Sequence, residues 1–373
     1  MDLSLVLCSR NDAYMGNSRW RLETTLNSVA ATVERLGRAD AVEILVADWG
    51  SETPLRNAVQ LEPAAARMVA FVTIPPDLAR ARQGDSPFPE VLALNAAVRR
   101  ARGRYVGRID QDTLVGDRFF RWFFAELASD AADRGATTLY FANRRGIPFR
   151  LASTCPDRRQ IDRFLRLCGP WLHVWRTNPT YGDEFWSSWV GIWLAHRDRW
   201  QECGGYDERM IYYNWMETDM IRRLRAQYRV ADLGRLTAYD FYHLDHVNPR
   251  RETGTARPPR NPDLDRADPA PTIHPNGPAW GLADCELPRE PVAAAVSSRA
   301  PHAAWSWVAF VALIVRLGLG LAWDRVAIGA ARAASVVRRR ASAARSGVAD
   351  QPIHLWPATL WKLWSTRKVS RAR

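Results

Sequence analysis

Cysteine is scarce and unpatterned in this chain. Its five residues, Cys8, Cys155, Cys168, Cys203 and Cys285, are unevenly spread over 373 positions, and Cys8 falls inside an apolar run. That spacing excludes a disulfide framework and points to a reducing compartment. The charge-poor start runs from Leu3 straight into a strand pattern, so no signal peptide is read there and cytoplasmic residence is expected. Acid is nearly missing from Arg325 to Arg373, where Asp350 alone stands against eleven Arg and Lys. Most of the net charge of +12 therefore sits in that tail. No stacking motif interleaves these basic residues, which argues against a nucleic-acid partner.

What is present is an alternation of strand and helix. Leu3 to Cys8 reads as a buried strand followed by the polar turn Ser9-Arg10-Asn11-Asp12. Leu22, Leu26, Val29, Val33 and Leu36 then recur at helical spacing. Val42 to Ala47 is a second strand ending in Asp48-Trp49-Gly50-Ser51, and Met68 to Val72 a third. A helix over Glu90 to Arg102, with Gly103 as its expected C-cap, leads into the strand Tyr105 to Ile109. Such alternation predicts an α/β class with a mostly parallel sheet and helices on both faces.

The strand Tyr105 to Ile109 ends in Asp110-Gln111-Asp112. The carboxyl edge of such a sheet is where open α/β folds bind ligands. In a turn just past the strand both carboxylates can face one hard cation, which takes oxygen ligands and bridges phosphates.

Five segments in order carry a resemblance. They are Ser9 to Asp12, Asp48 to Ser51, Leu92 to Ala97 with Ala101 to Gly103, Asp110 to Asp112, and Gly204 to Glu208 followed by Trp215 to Asp219. Together, over roughly residues 3 to 250, the chain resembles an inverting family-2 glycosyltransferase of the GT-A fold. The resemblance implies transfer of a sugar from a nucleotide-sugar donor, UDP-linked in the first instance, to a glycan or lipid-linked acceptor. It implies Asp48 in base recognition, Asp110 on the ribose or a metal-bound water, and Ser9, Asn11 and Asn95 in nucleotide binding. Asp112 is implied as ligand of a divalent metal, Mg²⁺ or Mn²⁺. His243 and His246, in Phe241-Tyr-His-Leu-Asp-His, are candidates to complete the metal shell or meet phosphate. The family commonly has Glu-Asp-x-Asp where this chain has Met216, Glu217 and Asp219. Glu217 is therefore the expected base, and Asp219 either an acceptor ligand or a partner of Arg222 or Arg223.

Trp171, Trp175, Trp186, Trp189, Trp193 and Trp200 form a dense aromatic stretch suited to stacking on sugar rings. Trp189 and Trp215 are the expected acceptor supports. A nucleotidyltransferase would carry a Gly-rich, Lys- or Arg-bearing loop after the first strand, where this chain has Ser9 to Asp12. A non-catalytic glycan-binding relative would have little reason to retain both Asp112 and Glu217. Residues 1 to 250 are expected as the GT-A domain and 251 to 300 as a Pro-rich wrap in which Trp280 could dock back. Residues 301 to 373 are expected as an apolar helix and basic tail. Ala303 to Trp323 approaches bilayer-spanning length, but Arg316, Gly318 and Gly320 interrupt it. A single span would separate catalytic domain and basic tail, so a helix lying on the inner leaflet, with the tail on anionic lipid, is the expected arrangement.

Overall fold

The computed structural model describes residues 1–130, 134–172, 191–212, 216–225, 227–246 and 273–293, together with Asn261, Ala312 and Val315. The chain divides into two compact units, one of residues 1–177 and 186–302, the other of 178–185 and 303–373. The first carries everything discussed below. Of the second only Ala312 and Val315 are described, both helical, so the expected membrane-facing helix and basic tail lie outside the described residues. Among the described residues no helix is long and apolar enough to cross a membrane.

The first unit is a mixed α/β fold around an eight-stranded sheet. Its early strands are β1 (Leu3–Ser9), β2 (Val42–Trp49), β3 (Val69–Ile74) and β4 (Tyr105–Ile109). These four run parallel, with β1 between β2 and β4 and β3 outside β2. β5 (Thr113–Val115) follows, then β6 (Thr138–Asn143), β7 (Arg145–Ile147), β8 (Gly191–His196), β9 (Arg229–Asp232), β10 (Phe241–Leu244) and β11 (Arg289–Pro291). The large sheet has the order β11-β3-β2-β1-β4-β8-β6-β9, and β5, β10 and β7 make a second, three-stranded sheet. β8 runs antiparallel to both β4 and β6, and β11 antiparallel to β3, so the sheet is more mixed than strand–helix alternation alone predicts.

The central strands are buried on both faces, as parallel sheets are. Leu3, Leu5 and Leu7 of β1 and Val42, Ile44 and Val46 of β2 pack with Leu22, Leu26, Val29 and Val33 of the first helix, Ser18–Arg35. Burial of each such side chain contributes roughly 1.5–3 kcal/mol. The helix Glu90–Arg100 packs on β1 and β2 as well. It stops at Ala101, whose backbone is extended, so Gly103 is not its cap. Glycine is required there because a Cβ would collide with the backbone of Leu3 and Ser4.

Residues 273–293 return to the body of the unit. Trp280 is buried under the Arg99 guanidinium, 4.9 Å from ring centroid to Cζ. Arg100 donates to the carbonyls of Gly281, Leu282, Cys285 and Leu287, using its planar fork on a single turn of chain. β11 then covers β3, an edge that would otherwise offer unpaired backbone groups.

Candidate functional site

The register of β1 on β4 pairs Leu3 with Tyr105 and Val6 with Arg108, which sets their carboxyl ends side by side. Ser9 at the end of β1 donates to Gln111 Oε1 at 2.5 Å, tying the two turns together. Between them opens a cavity of about 240 Å³. Five carboxylates line it, those of Asp12, Glu90, Asp110, Asp112 and Glu217, against the three guanidiniums of Arg10, Arg108 and Arg144. The loop at the mouth has three successive left-handed residues, Met15, Gly16 and Asn17, and Tyr14 and Met15 face the cavity.

The second sheet brings distant residues to Asp112. β10 pairs antiparallel with β5, matching His243 to Thr113, and Leu244 N–H donates to Asp112 O at 3.0 Å. β7 pairs with the other side of β10, matching His243 to Gly146, which puts Arg144 at the same place. His243 Nε2 lies 3.6 Å from Asp112 Oδ1 and His246 Nε2 lies 3.5 Å from Oδ2. One ligand atom from each of Asp112, His243 and His246 falls within 4.8 Å of the others. Arg21 of the first helix donates to Asp112 Oδ2 at 2.7 Å, and Arg144 approaches Oδ1 at 3.2 Å. Burial works to raise the Asp112 pKa, but His243, Arg144 and Arg21 together hold the carboxyl well below the usual carboxylate range. An ionised carboxylate with two imidazoles is a donor set that fits a divalent ion.

Asp110 turns to the same side as Asp112, with Oδ2 2.7 Å from Arg144 and Oδ1 2.7 Å from Arg108. Glu217 stands in the first turn of the helix Met216–Leu224 and lines the same cavity. Burial raises its pKa, offset in part by Arg108.

Other residues singled out in the sequence sit beside the cavity rather than on its wall. Asp48 is 0 % exposed; Ser51 Oγ donates to its Oδ1, and the Leu55 N–H donates to Oδ2 at 2.6 Å. Asn11 holds the neighbouring turn through its N–H to Ser51 Oγ and its amide to Thr53 O. Asn95 is a buried clamp: its Oδ1 accepts from Tyr206 N–H and its Nδ2 donates to Tyr206 O, both at 2.8 Å. Gly205, at φ +73°, leaves room for that amide, because a Cβ there would run into it. Asp219 accepts from Arg223 Nε at 2.8 Å, and the same guanidinium donates to Gly205 O, so the pair braces the turn before Glu217. Trp189 and Trp215 lie outside the described residues.

The arginines went unmarked in the sequence reading. Arg21, Arg108 and Arg144 are buried, and the one local signal was a cation at Arg108 amid the apolar strand Tyr105 to Ile109. Glu90, the first residue of the predicted helix Glu90 to Arg102, carries no sequence signal for a place in the cavity wall.

No family model matches this chain, and no curated protein matches it. Solved structures resemble it only weakly. One is S. aureus TarS 1–349, at 14% identity and a TM-score of 0.38, covering 65% of this chain and 60% of that one. Another is the catalytic domain of Drosophila β1,4-galactosyltransferase 7 in complex with xylobiose, at 13% identity and a TM-score of 0.35, covering 70% and 75%. A third is TarS 1–349 in complex with UDP-GlcNAc, at 14% identity and 0.36, covering 65% and 58%. This chain thus spans about 60% of the TarS fragment it matches. Likenesses this weak carry no argument, and fold and chemistry alike are read from the chain itself.

Proposed function

We propose that this chain is a metal-dependent glycosyltransferase of the GT-A kind, moving a sugar from a nucleotide-sugar donor to a glycan or lipid-linked acceptor with inversion. The observation that carries the reading is one cavity at the carboxyl edge of β1 and β4 with Asp112, His243 and His246 at one side and the buried Glu217 in its wall. Asp112, His243 and His246 would hold the ion; with two imidazoles present, Mn²⁺ suits the set better than Mg²⁺, which prefers oxygen ligands. When bound, the ion neutralises charge gathering on the departing diphosphate.

The protein's own groups divide the remaining work. Glu217 takes the proton of the acceptor hydroxyl, and burial, which raises its pKa, improves the match to that task. Arg21 and Arg144 keep Asp112 ionised and fix its orientation. Ser9 and Asp110, which line the same cavity, are proposed to meet the nucleotide, Asp110 at its ribose. Asp48, Asn11, Asn95 and Asp219 serve through the turns they hold, and Trp189 and Trp215 are proposed to meet the acceptor. The basic tail is proposed to hold the enzyme on anionic lipid.

Measuring UDP release across a panel of UDP-sugars with Mn²⁺ tests the reading. Turnover that needs Mn²⁺ and disappears in both Asp112→Ala and Glu217→Gln is expected. Release that persists in Glu217→Gln at the wild-type rate overturns the base assignment.

A further inference from the structure

In the cavity wall lies a cationic side chain whose charge is oversubscribed. Arg108 is 2 % exposed, buried within β4, with Trp193 of β8 opposite it in register. Its Nη2 donates to Glu90 Oε1 at 2.6 Å and lies 2.7 Å from Asp110 Oδ1. Its Nη1 lies 3.5 Å from Glu217 Oε1 as an ion pair without a hydrogen bond, and among the described residues neither Nη1 nor Nε has a hydrogen-bond partner. A buried guanidinium normally uses its full fork, and leaving a donor unmet is costly. Here one nitrogen serves two carboxylates while the nitrogen facing Glu217 is kept free of a closer partner.

We propose that Arg108 is the positioning residue of Glu217, and that Glu90 tunes Glu217 by drawing on the same guanidinium. The proposal rests on the reading of Glu217 as the base. Arg108 cannot swing away, because Glu90 on the 90–100 helix and Asp110 at the strand end hold it from one side. Glu217 is therefore drawn to a fixed point on the cavity wall. Every negative charge near Arg108 lessens the positive field that Glu217 feels. The charged and titratable groups around Glu217 are Arg108, Asp110 and Arg144, with Glu90 and Tyr206 facing it across Arg108. Burial pushes Glu90 itself up to about 7, so its charge changes near neutral pH and the tuning changes with it.

The test follows Glu217 directly in the full-length protein. With glutamate labelled by ¹³C at the carboxyl carbon, the Glu217 resonance is identified by its loss in Glu217→Gln and titrated by NMR. The Glu90 resonance, identified by its loss in Glu90→Gln, is expected to fall in midpoint by about half a pH unit or more in Glu217→Gln, because the Glu217 charge that opposes its ionisation is gone. Arg108→Gln removes the cation and is expected to raise it. Arg108→Lys keeps the charge but not the fork; its midpoint is expected to stay near wild type while kcat for Mn²⁺-dependent UDP release falls about tenfold at unchanged KM. A Glu217 midpoint that does not rise in Arg108→Gln, or a Glu90 midpoint that does not fall in Glu217→Gln, overturns the proposal. Should Arg108→Gln fail to fold, an unmoved Glu90 midpoint in Glu217→Gln overturns it alone. UDP release that survives in Glu217→Gln removes the base reading but not the measured coupling, so the two failures are told apart.

Discussion

Arg21 and Asp112 form an ion pair of 2.7 Å in which both side chains are buried, joining the first helix to the turn that follows the fourth strand. Removing one partner of a buried pair strands the other charge, at a cost of about 3–5 kcal/mol. Arg144 remains near Asp112, so Arg21→Met is expected at the lower end, about 3 kcal/mol, as read by urea unfolding. A change under about 1 kcal/mol would mean that Arg144 alone suffices.

The metal assignment gives a second outcome that needs no substrate. Mn²⁺ titration followed by electron paramagnetic resonance should show binding lost in Asp112→Asn. His243→Ala and His246→Ala should each weaken it by at least about tenfold, a size that outer-shell changes already reach. Wild-type affinity in both histidine variants would remove them from the site.

Asp48 supplies a prediction about pH. Burial pushes its carboxyl up to about 6 from 3.8, against the opposing bonds from Ser51 and Leu55. An acid with its folded pKa raised binds its proton more tightly when folded, so this contribution is present at low pH and lost as pH rises through about 4 to 6. The loss is at most about 3 kcal/mol. Asp48→Asn, which can still accept from the Leu55 N–H, should flatten the fall of Tm over that range. Some slope should remain, because burial pushes Asp240 up to about 6 as well. An unchanged profile would show that Asp48 ionises as freely in the fold as out of it.

Trp280→Ala should destabilise the first unit by about 3 kcal/mol, the usual loss for emptying a buried aromatic site. Native-state proteolysis should then cut within residues 273–293 before it cuts elsewhere. First cleavage at some other place would mean that the Arg100 bonds hold the segment without the indole.

How far the sequence disclosed this arrangement depended on the range of each signal. β1, β2 and the first helix were legible because Leu3 to Cys8, Val42 to Ala47 and Leu22 to Leu36 carry their own period. The placement of Glu217 in the first turn of its helix was likewise local. The second sheet was not legible: β5, β7 and β10 are three or four residues long, too short to show alternation, and what defines them is pairing between distant stretches. β11 is a three-residue edge strand of the same kind. The arginines escaped for another reason. Arg21 and Arg144 look like surface residues in a chain rich in arginine, and only the carboxylates opposite them explain their burial. Asp48 and Asn95 were legible as special, yet their bonds to Ser51, Leu55 and Tyr206 show that a motif residue can matter through the backbone it holds.

The small sheet of β5, β7 and β10 has a temporal consequence. During synthesis the stretch bearing Asp112 emerges well before the one bearing His243 and His246, and no earlier pairing can stand in for the ladder that joins them. The cluster of Asp112, His243 and His246 is thus among the last features to be completed, and a newly made polypeptide could bury most of its leucines and valines while those three side chains are still apart.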